Sequence, residues 1–229
     1  MVDCGFTVKE FSKRIQRFGI EPEQLDAILV THEHQDHIGG VGPVSRKFRI
    51  PVWGTRGTLM SQKLGNIEYK HIIHGFEPFD VASLSITPLS VPHDAREPCQ
   101  FMFEYQQKKL AILTDLGSYT IELVEHLQQC HALLLECNHD EDMLWNGAYP
   151  ERLKQRVASS YGHLSNRQAI EIINKLNCEQ LQFVIATHLS EKNNCPDIVR
   201  QQLSKALGWQ LESVKIADQN QGFDWHRLA

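Results

Sequence analysis

The chain has 229 residues, 41% of them hydrophobic and 22% charged, which is the make-up of a single globular domain over 1–229 and excludes a disordered polymer. No stretch approaches the ~20 uninterrupted apolar residues of a membrane-spanning helix, and no basic flank with an apolar run opens the chain, so a cytoplasmic protein with no membrane partner is expected. The formal net charge of −5 excludes a generally basic nucleic-acid binder and leaves any phosphate recognition to a local patch.

Val8, Phe11, Ile15 and Phe18 recur at helical spacing over 7–18, with Gly19 placed as a C-cap. The run 26–31 reads as a buried strand that leads directly into Thr31-His32-Glu33-His34-Gln35-Asp36-His37-Ile38-Gly39-Gly40, after which 38–48 reads as helix. Strands are expected at 50–53, 69–73, 84–91, 100–105 and 109–114, the last two separated by the polar turn Gln106-Gln107-Lys108. Helices then alternate with strands: helix 119–128, strand 131–137, helix 150–158, and helix 165–176 behind a Ser165/Gln168 capping box. Strand 183–187, a helix from Pro196 and a strand at 213–217 complete the pattern. Antiparallel strands early and strand-helix alternation throughout predict mixed sheets covered by helices, a layered α/β arrangement.

The six cysteines, Cys4, Cys99, Cys130, Cys137, Cys178 and Cys195, form no Cys-x-x-Cys pair. They are expected to be free thiols in a reducing compartment and to build neither disulfides nor a thiolate zinc site.

Side chains two apart share a face of an extended segment, so His32, His34 and Asp36 can point to one side of the loop after the first strand, and His37 adds a fourth donor. Imidazole and carboxylate donors suit zinc and also admit manganese or iron, and the set is too rich for one tetrahedral ion. Three further strand ends carry the same residue types: Val91-Pro92-His93-Asp94, Leu113-Thr114-Asp115-Leu116-Gly117, and Ile185-Ala186-Thr187-His188. Apolar strands ordinarily end in Gly, Asn, Ser or Pro, so this repetition points to metal ligation.

With these segments in place, the chain resembles the metallo-β-lactamase superfamily, whose His-x-His-x-Asp-His signature is matched in full by His32, His34, Asp36 and His37. Pro92-His93-Asp94, Thr114-Asp115, Glu136-Cys137-Asn138-His139-Asp140, Gly162-His163-Leu164-Ser165-Asn166 and Thr187-His188-Leu189-Ser190 are similar to the YycJ-type branch, likened to double-stranded DNA exonucleases. The resemblance implies an α/β fold, the four-layer αββα metallo-β-lactamase sandwich. Family members open with a strand pair before the Asp-Cys-Gly segment, and the expectation for this chain, beginning Met1-Val2-Asp3-Cys4-Gly5, is a sandwich lacking that first N-terminal pair.

The resemblance further implies two divalent metal ions, zinc or manganese with iron also admitted. His32, His34 and His93 would hold one, Asp36, His37 and His188 the other, and Asp115 would bridge them. A bridging carboxylate suits ions roughly 3.5–4 Å apart, the separation that serves in-line displacement at phosphorus. His163 matches a histidine that serves the scissile phosphate without binding metal, so His163 and Asp36 are the catalytic candidates. The implied activity is 5′ to 3′ exonucleolytic hydrolysis of double-stranded DNA. RNA or a small phosphodiester comes next as substrate, acyl or thioester hydrolysis is a further catalytic alternative, and a metal or nucleic-acid binding module is the non-catalytic one.

Blander readings apply elsewhere. His71, His74, His126, His131 and His226 are expected as ordinary core or surface histidines. Glu136, Asn138 and His139 divide evenly between ligand-orienting partners and a simple turn. Arg152, Lys154, Arg156 and Arg167 are expected mostly as a solvated face.

Overall fold

The structure is a computed structural model, and it describes residues 1–219 and 221–229. The chain divides into two compact units, Met1–Ser90 with Ala95–Phe101, and Val91–Asp94 with Met102–Ala229.

In the first unit the predicted opening helix is α1 (Val8–Gln16), capped by the Thr7 side chain and burying Phe11. Strand β1 (Ile28–Val30) is wholly buried. It is followed by the single turn α2 (Gln35–Ile38) and by α3 (Val41–Phe48), so the helix expected over 38–48 breaks at Gly39-Gly40. Then come β2 (Val52–Thr55), the short helix α4 (Arg56–Leu59), β3 (Lys70–Ile73), β4 (Phe79–Val81) and β5 (Leu84–Ser90). Strands β1, β2 and β3 form a three-stranded sheet in that order, and both pairings are parallel. The expectation of antiparallel strands here is therefore corrected: α3 and α4 return the chain to the same end of the sheet, as a crossover between parallel strands requires. Antiparallel pairing begins with β4 and β5, across a turn where Ala82 has φ 52°. The core of this unit joins Phe11 of α1 to Ile28, Val30, Val41, Val44 and Val52.

Strand β6 (Cys99–Tyr105) contributes residues to both units. Gln106 and Gln107, both with positive φ, form the tight turn expected before β7 (Lys108–Leu113). Beyond it lie α5 (Ile121–Leu127), β8 (Ala132–Glu136), α6 (Glu141–Asn146), α7 (Glu151–Val157), α8 (Asn166–Ile173), β9 (Phe183–Thr187), α9 (Pro196–Leu207) and β10 (Lys215–Ile216). The Ser165/Gln168 capping box starts α8, and Pro196 occupies the first turn of α9, both as expected. Strands β7, β8, β9 and β10 are parallel neighbours. Being covered on both faces, β8 and β9 are near-continuous apolar runs, which is why their sequence periodicity is weak but their identity legible.

Lys154 departs from the solvated face expected for its helix. It is buried, and its Nζ donates to the Trp145 carbonyl at 2.7 Å, tying α7 back to α6. Among the described residues no helix is long and apolar enough to cross a membrane.

Candidate metal centre

Each unit presents its own cluster of donors. In the first, Met1–Asp3 runs beside β1, with Leu29 N donating to Met1 O and Asp3 N to Leu29 O, both at 2.8 Å. Cys4 N then donates to His37 O and Gly40 N to Cys4 O, both at 2.7 Å, locking this segment onto the histidine run. The approach demands glycine: a Cβ on Gly5 would stand 1.9 Å from Asp36 O, and one on Gly40 1.9 Å from Phe6 O.

The Asp3 carboxylate organises the donors of this unit. It accepts from Thr31 N at 2.8 Å, from Thr31 Oγ1 at 2.7 Å, and from His37 Nδ1 at 2.8 Å. Because the Thr31 hydroxyl proton goes to Asp3, its oxygen accepts from His32 Nδ1 at 2.9 Å. Both imidazoles thus carry their proton on Nδ1, which leaves Nε2 as the lone-pair nitrogen a metal would use. The His34 and His37 ring centroids lie 4.5 and 4.2 Å from that of the buried His32. Asp36, expected among the ligands, has a side chain 75% exposed, with one oxygen 3.5 Å from His37 Nε2. Glu33 engages other groups, accepting from Arg96 N at 3.0 Å and, through its carbonyl, from Lys63 Nζ at 2.9 Å.

In the second unit Asp115 follows β7, Glu136 ends β8, His188 follows β9 and His163 precedes α8. One candidate donor atom from each of these four lies within 4.8 Å of the others. Glu136 is fully buried: Oε1 accepts from His163 Nδ1 at 2.8 Å and from His188 Nδ1 at 2.9 Å, while its other oxygen accepts from Leu116 N at 3.0 Å. Burial would raise the Glu136 pKa, but the two imidazole hydrogen bonds outweigh it and hold the carboxylate down at about 2. For His163, burial disfavours the charged ring, yet the hydrogen bond to Glu136 and that negative charge prevail and raise its pKa. His188 Nε2 then lies 3.4 Å from Asp115 Oδ1.

His93 is buried and donates from Nδ1 to the Gly162 carbonyl at 3.0 Å, with its ring 5.4 Å from that of His163. Burial, the leading cause, lowers its pKa and keeps it neutral, the form that ligates. Asp94 Oδ1 is 3.4 Å from His93 Nε2, and Asp94 Oδ2 accepts from Arg156 Nε at 2.7 Å.

Backbone conformation sets several of these positions. Asp3, Asp115 and His188 have φ of 52°, 53° and 58°. That region is uncommon for residues other than glycine and recurs at functional sites. Asn138 supports one of the three, its Nδ2 donating to the His188 carbonyl at 3.0 Å. His139, by contrast, is a buried ring whose pKa is lowered by desolvation. Its carbonyl accepts from Asn166 N at 2.8 Å, and among the described residues its Nδ1 has no hydrogen-bond partner.

Taken unit by unit, the sequence-selected residues are His32, His34, Asp36 and His37 in the first and His93, Asp115, Glu136, Asn138, His139, His163 and His188 in the second. Sequence reasoning overlooked Asp3. The signal was present in the Asp3-Cys4-Gly5 segment, but Asp3 reaches His37 across 34 residues, beyond any local pattern. Chemically the donor set fits divalent metal: imidazole nitrogens with the opposite ring nitrogen engaged, carboxylate oxygens, and no thiolate.

Comparison with known proteins places these clusters in a family context. The sequence model described as "Beta-lactamase superfamily domain" matches residues 1–189. The chain is 32% identical over 213 residues to the exodeoxyribonuclease WalJ of Streptococcus pneumoniae serotype 2, covering 90% of this chain and 79% of that protein. It is 31% identical over 211 residues to the exodeoxyribonuclease YycJ of Bacillus anthracis, covering 90% and 80%. Among solved structures, the metallo-β-lactamase fold protein YhfI of Bacillus subtilis superposes with a TM-score of 0.71 at 23% identity, covering 98% of this chain and 85% of that one. Zinc-bound PqqB of Methylobacterium extorquens gives a TM-score of 0.71 at 16% identity, covering 98% and 82%. These structural likenesses speak to the fold.

Proposed function

The chain belongs to the β-lactamase superfamily and has the metallo-β-lactamase fold, and from that premise we propose that it is a two-metal phosphodiester hydrolase that acts on DNA as an exonuclease. Its two relatives named as exodeoxyribonucleases, similar over most of the chain, favour DNA as the substrate. One observation carries the chemistry: Glu136 takes the Nδ1 protons of both His163 and His188, so one buried carboxylate orients a metal ligand and a proton-carrying histidine together.

In this reading His32, His34 and His93 would hold one ion, Asp36, His37 and His188 would hold the other, and Asp115 would be shared. Zinc or manganese suits the donors, and iron is admitted. In this reading residues 1–229 form one catalytic domain. When bound, divalent ions supply Lewis acidity, making water a nucleophile near neutral pH and offsetting charge on phosphoryl oxygens.

The protein's own groups do the rest. Asp3 through Thr31 and directly, Gly162 through its carbonyl, and Glu136 all fix imidazole tautomers so that Nε2 keeps its lone pair. His163 holds a proton on Nε2 for the departing oxygen, since its raised pKa keeps the ring protonated further toward neutral pH. The six cysteines are free thiols, which suits the reducing cytoplasm as the working compartment.

The decisive assay gives manganese- or zinc-loaded protein 5′-labelled duplex DNA beside bis(p-nitrophenyl) phosphate and a thioester. Phosphodiester turnover, with DNA affinity falling steeply as salt rises, is expected. Turnover of the thioester alone would overturn the reading. His163→Ala should lower phosphodiester turnover about 10²–10⁴-fold with unchanged metal content, and loss of metal in that variant would refute its role as a proton donor.

A further inference from the structure

A cleft of about 370 Å³ opens in the second unit beside His163 and His188, within the roughly 300–1,000 Å³ range of small-molecule sites. Its wall carries three side chains that the proposed mechanism leaves unused: Tyr149, Arg156 and Lys192. Arg156, on α7, donates from Nε to Asp94 at 2.7 Å while 57% of its side chain is exposed. That ion pair fixes the guanidinium plane, and the two terminal nitrogens of a guanidinium so fixed suit a phosphate, whose oxygens match the fork. The Lys192 Nζ lies 5.7 Å from the centroid of the half-buried Tyr149 ring, so a second cation and a flat aromatic surface stand together. One carboxylate, the exposed Glu191, shares the wall with these two cations. With Asp94 paired to Arg156 the cations and carboxylates balance here, so the two cations offer a phosphate fixed points of contact rather than a basic field.

Cations that track a phosphate, paired with a ring on which a base can stack, are the elements of a single-stranded nucleic-acid groove. We propose that this cleft is a nucleotide subsite, in which the nucleotide beside the scissile bond stacks its base on Tyr149 and gives its phosphate to Arg156 and Lys192. The position of the scissile bond rests on the phosphodiesterase reading; the binding itself does not. Arg156 is also tied to the ligand region, because the same Asp94 that holds it lies 3.4 Å from His93 Nε2.

The test uses metal-loaded protein and a fluorescent, 5′-phosphorylated tetrathymidylate with phosphorothioate linkages, which resists cleavage, and reads Kd by anisotropy across a salt series. Arg156→Ala and Lys192→Ala should each weaken binding about fivefold to tenfold and reduce the log–log salt slope by about 0.7, one single-strand phosphate contact apiece. Tyr149→Ala should weaken binding about tenfold with the slope unchanged, and Tyr149→Phe, which keeps the ring, should stay within about twofold of wild type. Wild-type protein that does not bind the oligonucleotide, alanine variants that all bind within twofold of wild type, or a Tyr149→Phe variant as weak as Tyr149→Ala would each overturn the subsite. Normal, variant-sensitive binding without turnover of any phosphodiester would instead defeat the hydrolase reading and leave the subsite standing.

Discussion

Replacing Glu136 by Gln keeps the shape of a fully buried side chain and removes its charge. The wild-type carboxylate accepts three N–H groups, from His163, His188 and Leu116. An amide has one accepting oxygen, so either orientation sets its NH₂ against a donor: the two imidazoles or the Leu116 backbone. Hydrogen bonds to a charged group contribute about 1.5–3 kcal/mol against about 1 for neutral ones. Neutralising the acceptor of two imidazole bonds therefore costs roughly 1–4 kcal/mol, of the same order as the about 10–100-fold loss of metal affinity typical when an outer partner of a ligand is changed. Competition titration with a chelator should find metal affinity reduced by about that factor. In chelated protein, NMR should find the His163 pKa lowered, since burial remains while the carboxylate that raised it is gone. Metal affinity within twofold of wild type together with an unmoved His163 pKa would refute this role for Glu136.

Asp3→Ala should act at the other cluster. It releases the His37 Nδ1 proton and the Thr31 hydroxyl that positions His32, so metal affinity should again fall about 10–100-fold, and an unchanged chelator titration would count against Asp3 as an organiser. The pH dependence of the metal-free protein follows from its buried histidines, of which His131, its pKa lowered chiefly by burial, acts in the same direction as His93 and His139. The pKa values of His93 and His139 are lowered in the folded state, chiefly by burial, so below about pH 6.5 the unfolded chain takes up protons that the folded one resists, and stability is lost as pH falls. His163 works the other way: its pKa is raised, so its contribution is complete at low pH and lost as pH rises through the folded value. The melting temperature of chelated protein should drop between about pH 7.5 and 5.5, and the drop should be shallower in His139→Leu; a melting temperature that rose toward acid would contradict the balance.

The parts of the fold legible in the sequence were those that short-range pattern carries. The buried strands β1, β8 and β9 were readable as apolar runs, and histidine or aspartate just beyond the ends of buried strands marked out the donor residues from the sequence alone. The capping box of α8 and the proline of α9 were equally local. The features that escaped depend on distant partners. The parallel direction of β1–β3 follows from short helical returns, and α4, a single turn, has too few residues to display a period. Strand β4 has three residues, and α6 is a six-residue element directly after a polar loop. Glu136 was undecided in sequence because its role requires two histidines from separate segments 27 and 52 residues further on. Asp36 was reached by alternation, but it stands in the first turn of α2, which begins at Gln35, and its carboxylate is largely exposed while staying 3.5 Å from His37 Nε2. Lys154 looked like one charge in a solvated run, and its burial against Trp145 O depends on α6, which the pattern did not reveal.

The left-handed backbone at Asp3, Asp115 and His188 has a bearing on how this protein would respond to selection. Each such residue costs of order 1–3 kcal/mol relative to a relaxed conformation, whereas glycine adopts the same angles without steric penalty. Selection for heat resistance alone would weigh that relief against the hydrogen bonds these side chains make, as the Asp3 carboxylate does with Thr31 and His37 and the His188 ring with Glu136, and each change to glycine deletes a carboxylate or an imidazole. Robustness and chemistry compete at single codons here, and a thermostable descendant that still works would have to find its gains elsewhere in the chain.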